Sequence, residues 1–150
     1  MLTITKEFIF HAAHMLPGHL GECKNLHGHT YKLQVTIKRI LLCDKAEPYN
    51  SMVIDFSCLS EVIKNILEDI DHAAILNNNG DDFENKLISL LIGNKKKVVL
   101  LDGPTTVEKI SEELFLKIDN TLNLSYKGLK VVSVKLWETP TSFAEYKGGE

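Results

Sequence analysis

The residues of this chain best equipped for chemistry lie in Cys23–Tyr31, "CKNLHGHTY". His27 and His29 are two apart, so on a strand both rings leave the same face and can reach a common point. Gly28 between them leaves room for a close approach. A hairpin pairing of this segment with the one ending at His14 would place a third imidazole opposite the pair. Three imidazoles with one open position is the ligand set of a catalytic zinc, because structural zinc takes a fourth protein ligand. An H-x-H pair on a strand is also compatible with two half-exposed side chains. His11 and His19 compete as third ligand; period two favours His14, which shares a face with Phe8 and Phe10.

Cys23 has four readings from its neighbourhood: a zinc ligand, a nucleophile, a proton-transferring base, or a small buried hydrophobe. The polar, turn-like "GECKN" speaks against a place in an apolar core. A thiol beside a metal or an imidazole can lose its proton near neutral pH, from a free value of about 8.5. Cys43 and Cys58 lack such company and read as packing residues. Asp71-His72 reads either as a histidine complementing a helix C-terminus or as a carboxylate orienting an imidazole for proton transfer. Glu138 ends an otherwise apolar strand face, where a carboxylate needs a donor, unless the strand has there reached the surface. Lys95, Lys96 and Lys97 read as a solvated turn, with an anion contact as the alternative.

The elements that must position these groups follow from periodicity. Residues 2–14 alternate as a strand with Phe8, Phe10, Ala12 and His14 on one face, and 28–42 as a second with His29, Tyr31, Leu33, Val35 and Ile37. Polar 43–51, with Pro48 and Asn50, breaks the chain before an extended "MVIDF". A helix capped by Ser57 carries Leu59, Val62, Ile63, Ile66, Leu67 and Ile70 and ends near Asp71-His72. Beyond the "LNNNGDD" loop, Phe83, Leu87, Leu90 and Leu91 suggest a helix, "GNKKK" a turn and "VVLL" an extended piece. Thr105-Thr-Val-Glu108 has the form of a capping box, opening a helix with Val107, Ile110, Leu114 and Ile118 inward. "LKVVSVKLWE" alternates as a strand with Val132, Val134, Leu136 and Glu138 on one face; "TPTS" turns the chain into a partner strand, "FAEYKG". Strands at both ends around a helical middle predict a single α+β domain over 1–150. Its sheet is expected to be antiparallel and its helices to lie on one face, because a crossover helix between every strand pair is missing from the pattern.

Composition narrows the function classes. The 150 residues are 44% hydrophobic and 25% charged, a globular profile, and the net charge of −3 offers no general attraction to nucleic acid. Three cysteines without regular spacing point to a reducing compartment rather than a disulfide framework. Neither a secretory leader nor a membrane span is expected from "MLTITKEFIF" or the short "KVVLLDG". The expectation is a soluble cytoplasmic protein.

"FIFHAAHML", "CKNLHGHTYKL", "VIDF", the "DH" after the first helix and "VKLWETPTSFAEY" together resemble the 6-pyruvoyltetrahydropterin synthase / 6-carboxytetrahydropterin synthase family. They stand in the family's order over nearly the whole chain, and the "WETPTSFAEY" ending resembles the bacterial 6-carboxy branch. The resemblance implies a tunnelling fold: a four-stranded antiparallel sheet with two helices on one face. Trimers close into barrels and stack as a hexamer, with active sites between subunits. It implies zinc on His14, His27 and His29. It further implies a proton relay of Cys23, Asp71 and His72, and a pterin anchored by Glu138 beside Thr105 or Thr106. The implied reaction converts 7,8-dihydroneopterin triphosphate to 6-carboxy-5,6,7,8-tetrahydropterin, on the 7-deazaguanine route to queuosine. The alternatives are 6-pyruvoyltetrahydropterin synthesis with the same residues, or a non-catalytic zinc- or pterin-binding module. The chain departs from the family pattern in three places. An insert at about 81–103 exceeds the compact bacterial members. "GPTTVE" carries an extra threonine. Glu22 precedes Cys23, near where a folate-pathway relative making 6-hydroxymethylpterin uses a glutamate.

Overall fold

A mixed sheet carries the site. The computed structural model describes residues 2–40 and 52–149, and among these it has six strands and three α-helices. Cys43, Pro48, Asn50 and the expected last two residues of the second strand, 41–42, lie outside the described residues. The strands are β1 (Thr3–His14), β2 (His27–Arg39), β3 (Ala73–Asn77), β4 (Val98–Leu101), β5 (Leu129–Thr139) and β6 (Ser142–Lys147). The helices are α1 (Phe56–Glu68), α2 (Asp82–Gly93) and α3 (Val107–Ser125). Strand order is β4-β3-β1-β2-β5-β6.

The four strands β1, β2, β5 and β6 pair antiparallel, while β3 and β4 add in parallel on the outer edge of β1. The sheet therefore has six strands rather than four. Ala73–Asn77 and Val98–Leu101 are short runs between asparagine- and lysine-rich turns, and β3-α2-β4 is the crossover unit that the pattern had argued against. Its helix also breaks the one-face rule. Ile75 packs in the main core, whereas its neighbour Leu76 packs with Met15 and Ile88 in a small second cluster. Adjacent strand residues point to opposite faces, so α2 lies across the sheet from α1 and α3.

The main core follows the alternation of the strands. Phe8, Phe10 and Ala12 of β1 and Tyr31, Leu33, Val35 and Ile37 of β2 are buried against Leu59 and Ile63 of α1 and Ile110, Leu114 and Ile118 of α3. Each fully buried aliphatic or aromatic side chain contributes about 1.5–3 kcal/mol. In β5 the register slips: Thr36 pairs with Ser133 and Ile37 with Val131, leaving Val132 as a bulge. Leu129 and Val131 thus take the core positions, and Val132, expected inward, is half-buried.

The helix starts differ by a residue or two from expectation. Asp55 caps α1 by accepting from the Ser57 amide at 2.7 Å, and the Ser57 hydroxyl expected to cap the helix instead donates to the same carboxylate at 2.6 Å. Residues 52–55 form no strand. Thr106, not Thr105, caps α3 by accepting from the Lys109 amide at 3.3 Å. Thr105 is buried and engaged elsewhere.

Candidate active site

The β1–β2 register puts His14 directly opposite His27, and Ala12 opposite His29. All three imidazoles project from the core face at its open end, where the apolar rows of both strands stop. Their ring centroids lie 4.6, 4.8 and 5.1 Å apart. One nitrogen from each falls within 4.8 Å of the others, and Cys23 stands outside this group.

Hydrogen bonds dictate which nitrogens face inward. His14 Nδ1 lies 2.7 Å from the Thr105 carbonyl and His27 Nδ1 lies 2.7 Å from the Asn25 carbonyl. A carbonyl only accepts, so both Nδ1 atoms carry a hydrogen, and Nε2 is the atom through which the neutral ring of each would ligate. The Nε2 atoms of His14, His27 and His29 are buried and lack hydrogen-bond partners. Converging ring nitrogens, with a carbonyl fixed behind two of the three rings, suit a divalent metal.

Glu138, at the end of β5, brings Oε1 to 3.2 Å from His14 Nε2 and 3.3 Å from His29 Nε2. A carboxylate facing imidazole lone pairs is favourable only with a cation among them, a proton or a metal ion. Its pKa is held below the usual carboxylate range, chiefly by the contact with His14 and against the effect of burial. Burial pushes the His29 pKa down, with Glu138 opposing and the other two imidazoles assisting. The balance favours the neutral form of His29, the form a metal ligand takes. The floor of the group is Tyr31, which was read only as a strand residue. Its ring stacks on Phe10 at 5.0 Å and its buried hydroxyl has no hydrogen-bond partner. Burial, then Glu138, drives its pKa up. Its period-two relation to His29 was the available signal.

Asp71 and His72 look to the other face. They follow α1 in a tight turn, with His72 at φ 61°, a left-handed conformation uncommon outside glycine. The turn is fastened to β1: His11 N–H donates to Asp71 Oδ1 at 2.8 Å, and His72 N–H donates to the His11 carbonyl at 2.6 Å. Asp71 Oδ2 pairs with His72 Nδ1 at 3.0 Å. The His11 amide is the largest cause holding the Asp71 carboxyl below its ordinary pKa. His11 and His14 are three apart, so they point to opposite sides of the sheet. His72 thus borders a groove of about 700 Å³ with His11, Thr30, Lys96 and Lys97, to which His29 also contributes, while Asp71 borders the neighbouring cleft with Glu7, Lys64 and Glu68.

Lys97, expected as part of a solvated turn, donates to the Glu68 and Asp71 carbonyls at 2.7 and 2.9 Å. It closes the end of α1 and braces the Asp71 turn. Cys23 is a half-buried free cysteine in a single 3₁₀ turn, Glu22–Lys24, and its carbonyl accepts from the Leu16 amide at 2.8 Å. Thr105 Oγ1 donates to the Met15 carbonyl at 3.1 Å, while Thr106 borders a separate cleft with Leu16, Asn79 and Glu84.

The family model described as 6-pyruvoyl tetrahydropterin synthase matches residues 3–149, and the chain belongs to that family. A Haemophilus influenzae protein named 6-carboxy-5,6,7,8-tetrahydropterin synthase is 44% identical over 150 residues, covering 98% of this chain and 99% of its own. A Rickettsia bellii protein of the same name is 33% identical over 146 residues, covering 97% and 99%. Among solved structures, 6-pyruvoyl tetrahydropterin synthase of Caenorhabditis elegans aligns with a TM-score of 0.65 at 24% identity, covering 99% of this chain and 96% of its own. An uncharacterized Wolinella succinogenes protein aligns with a TM-score of 0.78 at 23% identity, covering 99% and 98%. These likenesses establish the α+β fold of the family.

Proposed function

We propose that this protein is a zinc-dependent 6-carboxy-5,6,7,8-tetrahydropterin synthase acting on 7,8-dihydroneopterin triphosphate. The observation that carries the reading is the convergence of three buried imidazole nitrogens beside one carboxylate, in a chain whose full-length relatives bear that name. The overall change consumes one water and yields 6-carboxy-5,6,7,8-tetrahydropterin, acetaldehyde and triphosphate. Zinc on His14, His27 and His29 would supply Lewis acidity toward the side-chain oxygens of the substrate, acidifying adjacent protons.

The other roles fall to side chains. Ionised Glu138 is an acceptor only, and the amino-pyrimidinone edge of a pterin offers it two parallel N–H donors. Cys23 takes a proton from the side chain, and His72, oriented by Asp71 through Nδ1, exchanges one from its Nε2. Thr105 or Thr106 borders the pterin.

Asp71-His72 and the three histidines lie on opposite faces of one chain, which supports a site completed between copies. A homo-hexamer of two stacked trimeric barrels would bring the Asp-His pair of one copy to the zinc of its neighbour. The single domain spans 1–150, works in the cytoplasm and serves the 7-deazaguanine route to queuosine. Its partners are further copies of itself and the pterin triphosphate, with neither nucleic acid nor membrane.

The test is product identification by mass spectrometry on zinc-loaded protein given 7,8-dihydroneopterin triphosphate. A 6-carboxytetrahydropterin product with acetaldehyde is expected. A 6-pyruvoyl product, a 6-hydroxymethyl product or no turnover by the intact assembly would each overturn the assignment.

A further inference from the structure

Residues of β3 and α2 reach the three-histidine group through a chain of side chain-to-backbone hydrogen bonds. Thr105 grips the His14-Met15 dipeptide at two points: its carbonyl takes the Nδ1 hydrogen of His14 and its hydroxyl donates to the Met15 carbonyl. The loop that delivers Thr105 is held in turn by Asn77, the last residue of β3. Asn77 Oδ1 accepts from the Gly103 amide at 3.1 Å and from the Asn79 amide at 2.9 Å. Gly103 has φ +126°, which L side chains rarely adopt. Pro104 then stiffens the step to Thr105. Behind Asn77, its own amide donates to Oε1 of the fully buried Glu84 at 2.8 Å.

We infer that Asn77, backed by Glu84, is a positioning residue for the metal centre. By clamping Gly103 it aims the Thr105 carbonyl at His14 Nδ1, and so keeps His14 Nε2 as the ligating atom. This rests on the zinc reading above. An acceptor fixed behind a ligating imidazole sets both its tautomer and its orientation, and removing such a partner typically weakens metal binding about 10- to 100-fold. The insert bearing α2 thereby acts on the chemistry from across the sheet.

The test is the zinc dissociation constant of the full chain, by competition with a chromogenic chelator, for the unsubstituted protein, Asn77→Ala and Asn77→Asp. Asn77→Ala should bind zinc more weakly, with about 100-fold as the upper limit because the Thr105 carbonyl itself is retained. Asn77→Asp, which keeps the acceptor oxygen, should recover the affinity even where the nearby Glu84 carboxyl lowers its Tm. Nitrogen NMR of the zinc-free imidazoles should show His14 losing its pure Nδ1–H form in Asn77→Ala alone. Unchanged zinc affinity in a folded Asn77→Ala, or an Asn77→Asp as weak as the alanine variant, would overturn the inference while leaving the zinc reading intact. No zinc binding by the unsubstituted protein would overturn both. Should Asn77→Ala not fold, hydrogen exchange on the unsubstituted protein decides. Reciprocity requires zinc to protect the Gly103 and Asn79 amides, and unchanged exchange there would defeat the inference.

Discussion

The three-histidine group and the Asp71-His72 turn are built by opposite means. The histidines stand at the end of two long paired strands, where register alone sets ring spacing and nearby carbonyls set the tautomers of His14 and His27. Asp71-His72 stands on a left-handed turn, held by the His11 backbone and the Lys97 ammonium. A metal group needs several fixed lone pairs and gains them from regular structure. A proton-transfer pair needs one orienting bond and a free outer nitrogen, which a strained turn can provide if its neighbours brace it.

The largest expected effect separates the reactive groups from the scaffold that holds them. Cys23→Ala should lower turnover about 10²- to 10⁴-fold, the usual range for a lost proton-transfer group. Its zinc content and assembly should match the parent, and retained turnover would remove the thiol from the mechanism. His29→Ala should fall to sub-stoichiometric zinc after dialysis, measured by elemental analysis. A full complement of metal in that variant would contradict the ligand assignment.

His72→Gly sharpens the contrast between regular and strained construction. Glycine takes the left-handed conformation without penalty, so relief of about 1 kcal/mol should offset the lost Asp71 contact. Thermal unfolding should show a Tm no lower than the parent, while turnover falls. The matching substitution at a regular position, Leu33→Ala at a fully buried residue of β2, should instead cost about 2–5 kcal/mol in denaturant unfolding.

The pH dependence of the zinc-free protein is the smallest effect and touches both regions. Asp71 and Glu138 have lowered folded pKa values, and His29 is lowered as well. In each case the unfolded chain binds more protons, so stability rises with pH. The His29 contribution is present above its ordinary value near 6.5 and fades as pH falls through that value toward the folded one. Those of Asp71 and Glu138 persist into the carboxylate range and are lost as pH falls through their folded values. Glu84 opposes them: burial raises its pKa, so stability it contributes when protonated is lost as pH rises past the ordinary glutamate range. Glu84→Gln should therefore shift the Tm upward more at pH 7 than at pH 4.

Much of this was legible in the chain itself, and the misses have physical causes. The stripe through Leu59, Ile63 and Ile66 and the alternation through Phe8, Phe10 and His14 report the medium each side chain occupies, which local periodicity encodes. The strand at Ala73–Asn77 escapes the pattern because a short strand largely buried on both faces shows no alternation, and the extended piece at Val98–Leu101 carries no sign that it pairs with it. Val132 was misplaced because a bulge depends on the partner strand. Lys97 looked solvated because its acceptors, the Glu68 and Asp71 carbonyls, are remote in sequence.

By itself the sequence determined that His14, His27 and His29 could share one face, and which rows of the two long strands and of the helices α1 and α3 would be buried. Those are consequences of backbone period and side-chain chemistry, both local. Only the tertiary structure decided that His14 faces His27, that Thr105 selects its tautomer, and that Asp71-His72 turns to the opposite face. Register and carbonyl direction depend on residues tens of positions apart meeting in space, and no local pattern carries that information.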